Sequence, residues 1–223
     1  MKGGPLRKSI FALAAAALLT VTTPQARAEP RLAGRAELVT GTVTVERAGG
    51  QETLKPGDPV FIKDRILTGA GSSAEIVLVD QSRVKLAAHS CLEITEYLYN
   101  PTEKVRRGLI SLAFGKARFG VQDLKDFNDR RFRVLTDTAV IGSLDTDFIV
   151  TYDPELPRDE VCRGGMANTL CLENSILVSS LGFQDRPTLL TANMISQVCG
   201  PNPPTPPRFA TPAELARIMS GLD

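Results

Sequence analysis

The sequence has few of the side chains on which most binding and catalytic sites depend. Its 223 residues include no Trp, one His, three Tyr and only 5% aromatic residues. Carbohydrate sites usually present aromatic faces, and acid–base catalysis most often uses histidine. This composition leaves few side chains for acid–base catalysis or for stacking on a sugar. We therefore expect a non-enzymatic protein without a cofactor.

The chain also lacks an apolar run long enough to cross a bilayer, which takes about 20 residues. The longest run, Ile10–Val21, has 12 residues. It follows the basic residues Lys2, Arg7 and Lys8 and precedes Ala26-Arg27-Ala28, which places small residues at −3 and −1 of a cleavage site. This is the pattern of a secretory signal peptide. We expect residues 1–28 to be removed, leaving a periplasmic or secreted protein with no membrane span.

No concentrated excess of positive charge is present. Cleavage would remove four basic residues and no acidic ones, so the formal charge of +1 would become about −3. A nucleic-acid-binding protein shows a concentrated basic face. We therefore expect no nucleic-acid partner.

Four cysteines follow the predicted cleavage site, and none of their spacings is the short Cys-x2-Cys type that zinc sites use. An even number of cysteines in an exported protein favours disulfides, and four cysteines allow three pairings. Cys162 and Cys171 flank Gly164-Gly165, which suits a tight reversal. The preferred prediction is Cys162–Cys171 together with Cys91–Cys199.

Alternation of apolar and polar residues is the strongest structural signal. From Ser72 onwards, Ala74, Ile76, Leu78, Val84 and Leu86 recur with period two, and glycines and aspartates separate short runs. Period two is the repeat of a β-strand with one buried face. The fold class predicted is all-β, a twisted β-solenoid or sandwich of short strands with a short C-terminal helix.

Two further segments bear on the arrangement of strands. Residues 107–122 carry two apolar runs on either side of Gly115, which predicts a hairpin. After Cys171, the pattern strand, turn, strand repeats that of the amino-terminal strands, with Asn193 in the place of Gly57. Asn tolerates positive φ better than most residues. We therefore expect the last third to continue the same β-domain.

The division expected is a signal peptide at 1–28, one β-domain at 29–200 and a tail at 201–223. Residues 201–207 hold five prolines, and Thr211-Pro212-Ala213-Glu214 has the form of a capping box with Pro at the first helical position. The helix that follows is too short to be stable alone. It must dock on its own β-domain or on a partner protein.

Residues with reactive side chains give only weak signals. His89 precedes Ser90 and Cys91, but neighbours in a strand point to opposite faces. Asp145, Asp147 and Asp153 lack the spacing of an EF-hand. The basic clusters at 106–107 and 130–133 are expected to be solvated. No catalytic, cofactor or metal residue is predicted.

Two motifs resemble the FecR-type periplasmic domain. One is the block Leu54–Tyr99, and the other is Thr136-x-Thr138-Ala139-Val140-Ile141-Gly142 followed by Thr146-Asp147-Phe148. The resemblance covers roughly residues 36–152. The motif positions that it marks as candidate site residues are Gly57, Asp58, Asp64, Thr68, Gly69, Gly142, Asp145, Thr146 and Phe148.

The second motif departs from the family pattern Gly-x-Arg-Gly-Thr-x-Phe. Leu144 stands at the arginine and Asp145 at the second glycine. Aspartate can adopt left-handed backbone angles at modest cost, so Asp145 is expected to keep the turn. A leucine cannot replace the five hydrogen-bond donors of a guanidinium. If that arginine contacts a partner, the contact is lost or changed here.

The resemblance implies a role in envelope signalling, because the family resembles regulators that sense a receptor and control a sigma factor. We expect this chain to be the periplasmic module alone, without the anti-sigma segment. The first hypothesis is a protein-interaction or signalling module whose partner is another envelope protein, either a receptor or a regulator. The alternative is an envelope scaffold or glycan-binding protein.

Overall fold

The computed structural model describes residues 30–47, 49–156 and 162–222. The predicted signal peptide lies outside the described residues. The described part contains 17 strands and one helix: β1 Leu32–Thr40, β2 Val43–Arg47, β3 Gly50–Thr53, β4 Pro59–Phe61, β5 Arg65–Thr68, β6 Ser73–Leu78, β7 Arg83–Leu86, β8 Ser90–Asn100, β9 Val105–Gly120, β10 Asp129–Leu135, β11 Ala139–Ser143, β12 Asp147–Asp153, β13 Met166–Cys171, β14 Ser175–Ser180, β15 Phe183–Thr191, β16 Met194–Cys199, β17 Arg208–Phe209 and α1 Pro212–Met219. The predicted all-β class with a C-terminal helix is confirmed.

The strands form successive nested hairpins. In each unit the outer two strands pair in one layer and the inner two pair in the other. The units are β1–β4, β5–β8, β9–β12 and β13–β16. The first layer runs β4-β1-β6-β7-β9-β12-β13-β16-β17, and the second runs β3-β2-β5-β8-β9-β10-β11-β14-β15. The result is a twisted two-layer sandwich in which β9 belongs to both layers.

The core lies between the two layers. Phe119 of the first layer meets Phe132 of the second edge-on, with ring centroids 6.1 Å apart, and stacks on Phe148 at 5.2 Å. Ile76 and Ile94 enter the same buried cluster from opposite layers. The period-two apolar residues of the sequence supply this interior, as a half-buried strand requires.

Strand β9 corrects the predicted hairpin at residues 107–122. It is one strand of 16 residues that pairs with β8 up to Phe114 and with β7 and β12 from Gly115 onwards. Buried positions fall on even numbers up to Leu112 and on odd numbers from Ala117. Gly115 has φ +94°, and a Cβ there would collide with Ser90 and the carbonyl of His89. The kink changes the face and the layer without reversing the chain, which explains the two apolar runs.

The pseudo-repeat places Gly57 and Asn193 in equivalent turns. Gly57 (φ +89°) donates its N–H to the carbonyl of Ala36 in β1, and Asn193 (φ +64°) donates to Cys171 in β13. Each of these strands pairs with the strand that follows the turn, β4 or β16. The positive φ expected of Asn193 is confirmed.

Helix α1 docks on the outer face of the first layer. Thr211 and Glu214 form the predicted capping box. Ile218 and Leu222 are buried against Ile149 and Leu170, while Lys116 Nζ donates to the carbonyls of Arg217 and Ser220. Of the two docking surfaces left open by the sequence, the helix therefore occupies its own β-domain. No helix among the described residues has the length and apolarity needed to cross a membrane.

Cys162 bonds to Cys199, with Cα atoms 4.8 Å apart, and the predicted pairings of Cys162 with Cys171 and of Cys91 with Cys199 are wrong. The reason is strand pairing. Met166–Cys171 is a strand rather than the return of a hairpin, so Cys171 lies at its far end. Antiparallel pairing sets Met166 opposite Cys199 and brings Cys199 to the chain just before β13.

Candidate functional site

The motif residues around β4 and β5 hold turns rather than line a cleft. Asp64 is buried; its carboxylate accepts hydrogen bonds from Arg47 Nε at 3.0 and 3.1 Å and from the Phe61 N–H at 2.8 Å. Asp58 accepts from the Lys55 N–H at 2.8 Å, closing the turn that contains Gly57. These charges are satisfied within the fold, so Asp58 and Asp64 act as structural residues.

Thr68 and Gly69 fix the junction between β5 and β8. Thr68 Oγ1 donates to the carbonyl of Ala87 at 2.6 Å and accepts from the Ser90 N–H at 2.9 Å. Gly69 donates its N–H to Thr42 at 2.9 Å. His89 lies in this junction with φ +52°, as a turn residue.

The Thr146-Asp147-Phe148 part of the second motif runs into the start of β12, and its Thr146 and Phe148 side chains are buried. Phe148 is fully buried, and Thr146 Oγ1 donates to the carbonyl of Ser175 at 3.0 Å. Asp145 is not among the described residues with positive φ, so the expected left-handed turn is wrong. Its backbone carbonyl instead accepts from Asn174 Nδ2 at 2.7 Å, which holds the turn by a side-chain contact.

Arg106 is a key residue that the sequence reasoning placed wrongly on a solvated surface. Its side chain and that of Asp80 are both fully buried, 3.0 Å apart. Nη2 donates to the carbonyls of Arg130 and Leu144, both at 2.8 Å, and the guanidinium lies 5.6 Å from the Phe132 ring centroid. The even-numbered inward phase of β9 is the signal that could have located it. Because Arg106 binds the carbonyl of Leu144, the loop after β11 is tied to the core.

On the outer face of the second layer, one row of aligned residues contains a gap. Strand pairing aligns the following residues side by side: Leu109, Arg133, Gly142, Leu177 and Leu189. Gly142 leaves a gap in the row, because a Cβ built there would meet nothing closer than the Leu177 carbonyl at 4.0 Å. Glycine within a strand often marks a close approach by a ligand or another chain.

The gap opens into a cavity of about 380 Å³, which we call the Gly142 pocket. Three leucines on its wall are substantially exposed: Leu144 at 45%, Leu177 at 47% and Leu189 at 54%. The opposite wall carries Arg131 and Arg133. The pocket thus combines an apolar wall with a cationic one.

The two arginines of the pocket differ in their partners. Asp129 accepts from Arg131 and also from Arg107, and these hydrogen bonds hold the pKa of the Asp129 carboxyl well below its usual range. Arg133 makes no ion pair or side-chain hydrogen bond with any described residue. It also borders a second cavity of about 390 Å³ on the other side of the row, beside Glu96. Of the two arginines that line the pocket, Arg133 is therefore the one more available to an incoming anion.

The two free cysteines are buried, and neither lines this pocket. Arg65 Nε donates to Cys91 Sγ at 3.1 Å, and burial raises the pKa of that thiol. Burial also raises the pKa of Cys171 to about 11. A high pKa disfavours the reactive thiolate. Among the described residues, no group of three His, Cys, Asp or Glu side chains could hold a metal ion.

Comparison with known proteins supports the resemblance seen in the sequence. A family model described as FecR protein matches residues 64–166, which include both motif segments from Asp64 onwards. This part of the chain is therefore similar to a FecR domain, and the family suggests a signalling-related domain. Comparison with curated proteins found no significant match.

Two crystal structures of a candidate anti-sigma factor from Parabacteroides distasonis, at 1.65 and 2.50 Å resolution, share the fold. Each has a TM-score of 0.52 and 19% sequence identity over 70% of this chain. The chain spans about 65% of the length of those structures. At this identity the similarity establishes the fold alone.

Proposed function

We propose that this chain is an exported, non-enzymatic interaction module of FecR type that acts in envelope signalling and binds another envelope protein. The FecR match supports a regulatory role. The Cys162–Cys199 disulfide supports an oxidising compartment such as the periplasm. The amino-terminal pattern of a signal peptide agrees with that compartment.

The exposed leucines of the Gly142 pocket are the main support for a protein-binding role. Contiguous exposed apolar surface commonly marks an interaction site. On the first layer, α1 covers the comparable surface formed by Ile149, Leu170 and Ile195. On the second layer, no described segment covers Leu144, Leu177 and Leu189, whose exposure is 45–54%. The second layer is thus the contact surface that we assign to the partner.

The test is capture of a partner in the cell. A tagged chain is crosslinked in its host, and the captured proteins are identified by mass spectrometry. Leu177→Asp places a charge on the apolar wall, and it should reduce capture of an envelope receptor or regulator at least several-fold. Leu38→Asp is the matched control, because Leu38 is 60% exposed on the first layer.

Equal capture by wild type and Leu177→Asp would contradict the assigned surface. Recovery of the chain itself or of wall material alone would contradict the signalling role and favour the scaffold hypothesis. Deletion of residues 201–223 does not test this surface, because α1 is bound to the first layer.

A further inference from the structure

The Gly142 pocket is large enough to receive a large apolar side chain. Its volume of about 380 Å³ is at the lower end of the range for ligand pockets, about 300–1,000 Å³. Gly142 forms its floor, with Arg133 on one neighbouring strand and Leu177 on the other. Val140 and Leu144 are the outward positions of the same chain segment on either side of Gly142. The gap is therefore bounded in every direction along the sheet.

The charges around the pocket indicate which charge a bound segment should carry. Both ionisable residues that line it, Arg131 and Arg133, are cationic, and Asp129 already neutralises part of Arg131. No described residue accepts a side-chain hydrogen bond from Arg133, so its guanidinium donors are available to a ligand. A guanidinium binds carboxylates through paired donors. An acidic group beside an apolar side chain fits this arrangement, and a basic one would be repelled.

Resting on the function proposed above, we propose that the Gly142 pocket binds an extended acidic segment of the partner protein. One large apolar side chain of that segment fills the gap over Gly142 against Leu177 and Leu189, and a neighbouring carboxylate pairs with Arg133. Arg106 acts as a positioning residue, because its bond to the Leu144 carbonyl fixes one end of the pocket.

The geometry of Gly142 supplies a test that leaves the fold intact. Gly142 has no positive φ and its Cβ direction is open, so Gly142→Leu places an apolar side chain in the pocket without backbone strain. Gly120→Leu is the matched control. Gly120 also lies in a strand without positive φ, its nearest Cβ contact is Arg83 Cβ at 4.0 Å, and it lies in the first layer. Both variants should unfold at a urea concentration no lower than that of the wild type.

The probe is a displayed library of random peptides, selected on the wild-type protein with Gly142→Leu as the counter-target. We expect enrichment of peptides with a large apolar residue close to Asp or Glu. A synthetic copy of an enriched peptide should bind Gly142→Leu more than about tenfold more weakly, as loss of one buried apolar side chain implies. Gly120→Leu should bind it as the wild type does.

Arg133→Gln tests the ionic half of the proposal. It should weaken the peptide about three- to fivefold and flatten the dependence of affinity on salt, because an exposed ion pair is modest and screened. Enrichment of basic peptides, failure to enrich any peptide that distinguishes Gly142→Leu, or equal affinity for both glycine variants would overturn the proposal. If Leu177→Asp nevertheless reduced capture in cells, the proposed function as an interaction module would be supported. Only the proposal that an acidic segment with an apolar side chain occupies the pocket would then be rejected.

Discussion

Arg106 and Asp80 show how a buried pair of charged residues can stabilise this β-sandwich. Asp80 accepts from Arg106 and also from the N–H and hydroxyl of Ser82, at 3.0 and 2.9 Å. Arg106 in turn donates to the carbonyl of Arg130 in β10 and to that of Leu144, which follows β11. This network connects the turn between β6 and β7, β9, β10 and the loop after β11, so it supports the core and the edge of the Gly142 pocket together.

Removing one partner of this pair should be costly. Asp80→Ala leaves the Arg106 guanidinium buried without its counter-charge, and such a change typically lowers the free energy of unfolding by about 3–5 kcal/mol. Urea denaturation measures the loss. The control is Glu93→Ala, because Glu93 is 3.7 Å from Lys63 at the surface and should cost less than about 1 kcal/mol. Equal losses in the two variants would contradict a structural role for the buried pair.

Sequence reasoning missed this pair because charge argues for exposure, whereas burial depends on a partner 26 residues away. Composition and spacing gave no sign that Asp80 and Arg106 would meet. The same limit applies to the cysteines. The sequence could predict that a disulfide forms, but the identity of the partners follows from the pairing of β13 with β16.

At the scale of elements, β9 organises the molecule. It pairs with β8 and β10 in the second layer and with β7 and β12 in the first. The period-two pattern predicted strands correctly on both sides of Gly115. It could not distinguish a change of face at a kink from a reversal of the chain, because both interrupt the alternation in the same way.

Substitution at the kink is expected to be severe. Gly115→Ala forces an L-residue into φ +94° and brings its Cβ against Ser90 and His89. Left-handed strain and overpacking together should lower the free energy of unfolding by about 2–5 kcal/mol. Gly142→Ala is the control in urea denaturation and should change stability by less than about 0.5 kcal/mol, since its Cβ is unobstructed. A tolerated Gly115→Ala would show that β9 does not need the kink to span both layers.

At the scale of the whole molecule, the two outer faces differ. Helix α1 is bound over Ile149, Leu170 and Ile195 on the first layer, while the second layer presents Leu144, Leu177 and Leu189 beside Arg131 and Arg133. The all-β class was evident in the sequence from local alternation. The pocket was not, because its residues come from four strands that only the nested hairpins bring into one row.

Site-specific photo-crosslinking in the host tests whether the second layer is the partner-binding surface. A photoreactive amino acid replaces Leu189 on the second layer or, in a parallel strain, Leu38 on the first. Leu189 is 54% exposed and Leu38 60%, so both positions can be labelled. We expect a crosslinked envelope protein from position 189 and none from position 38. Crosslinks from position 38 alone, or equal yields from both, would contradict this expectation.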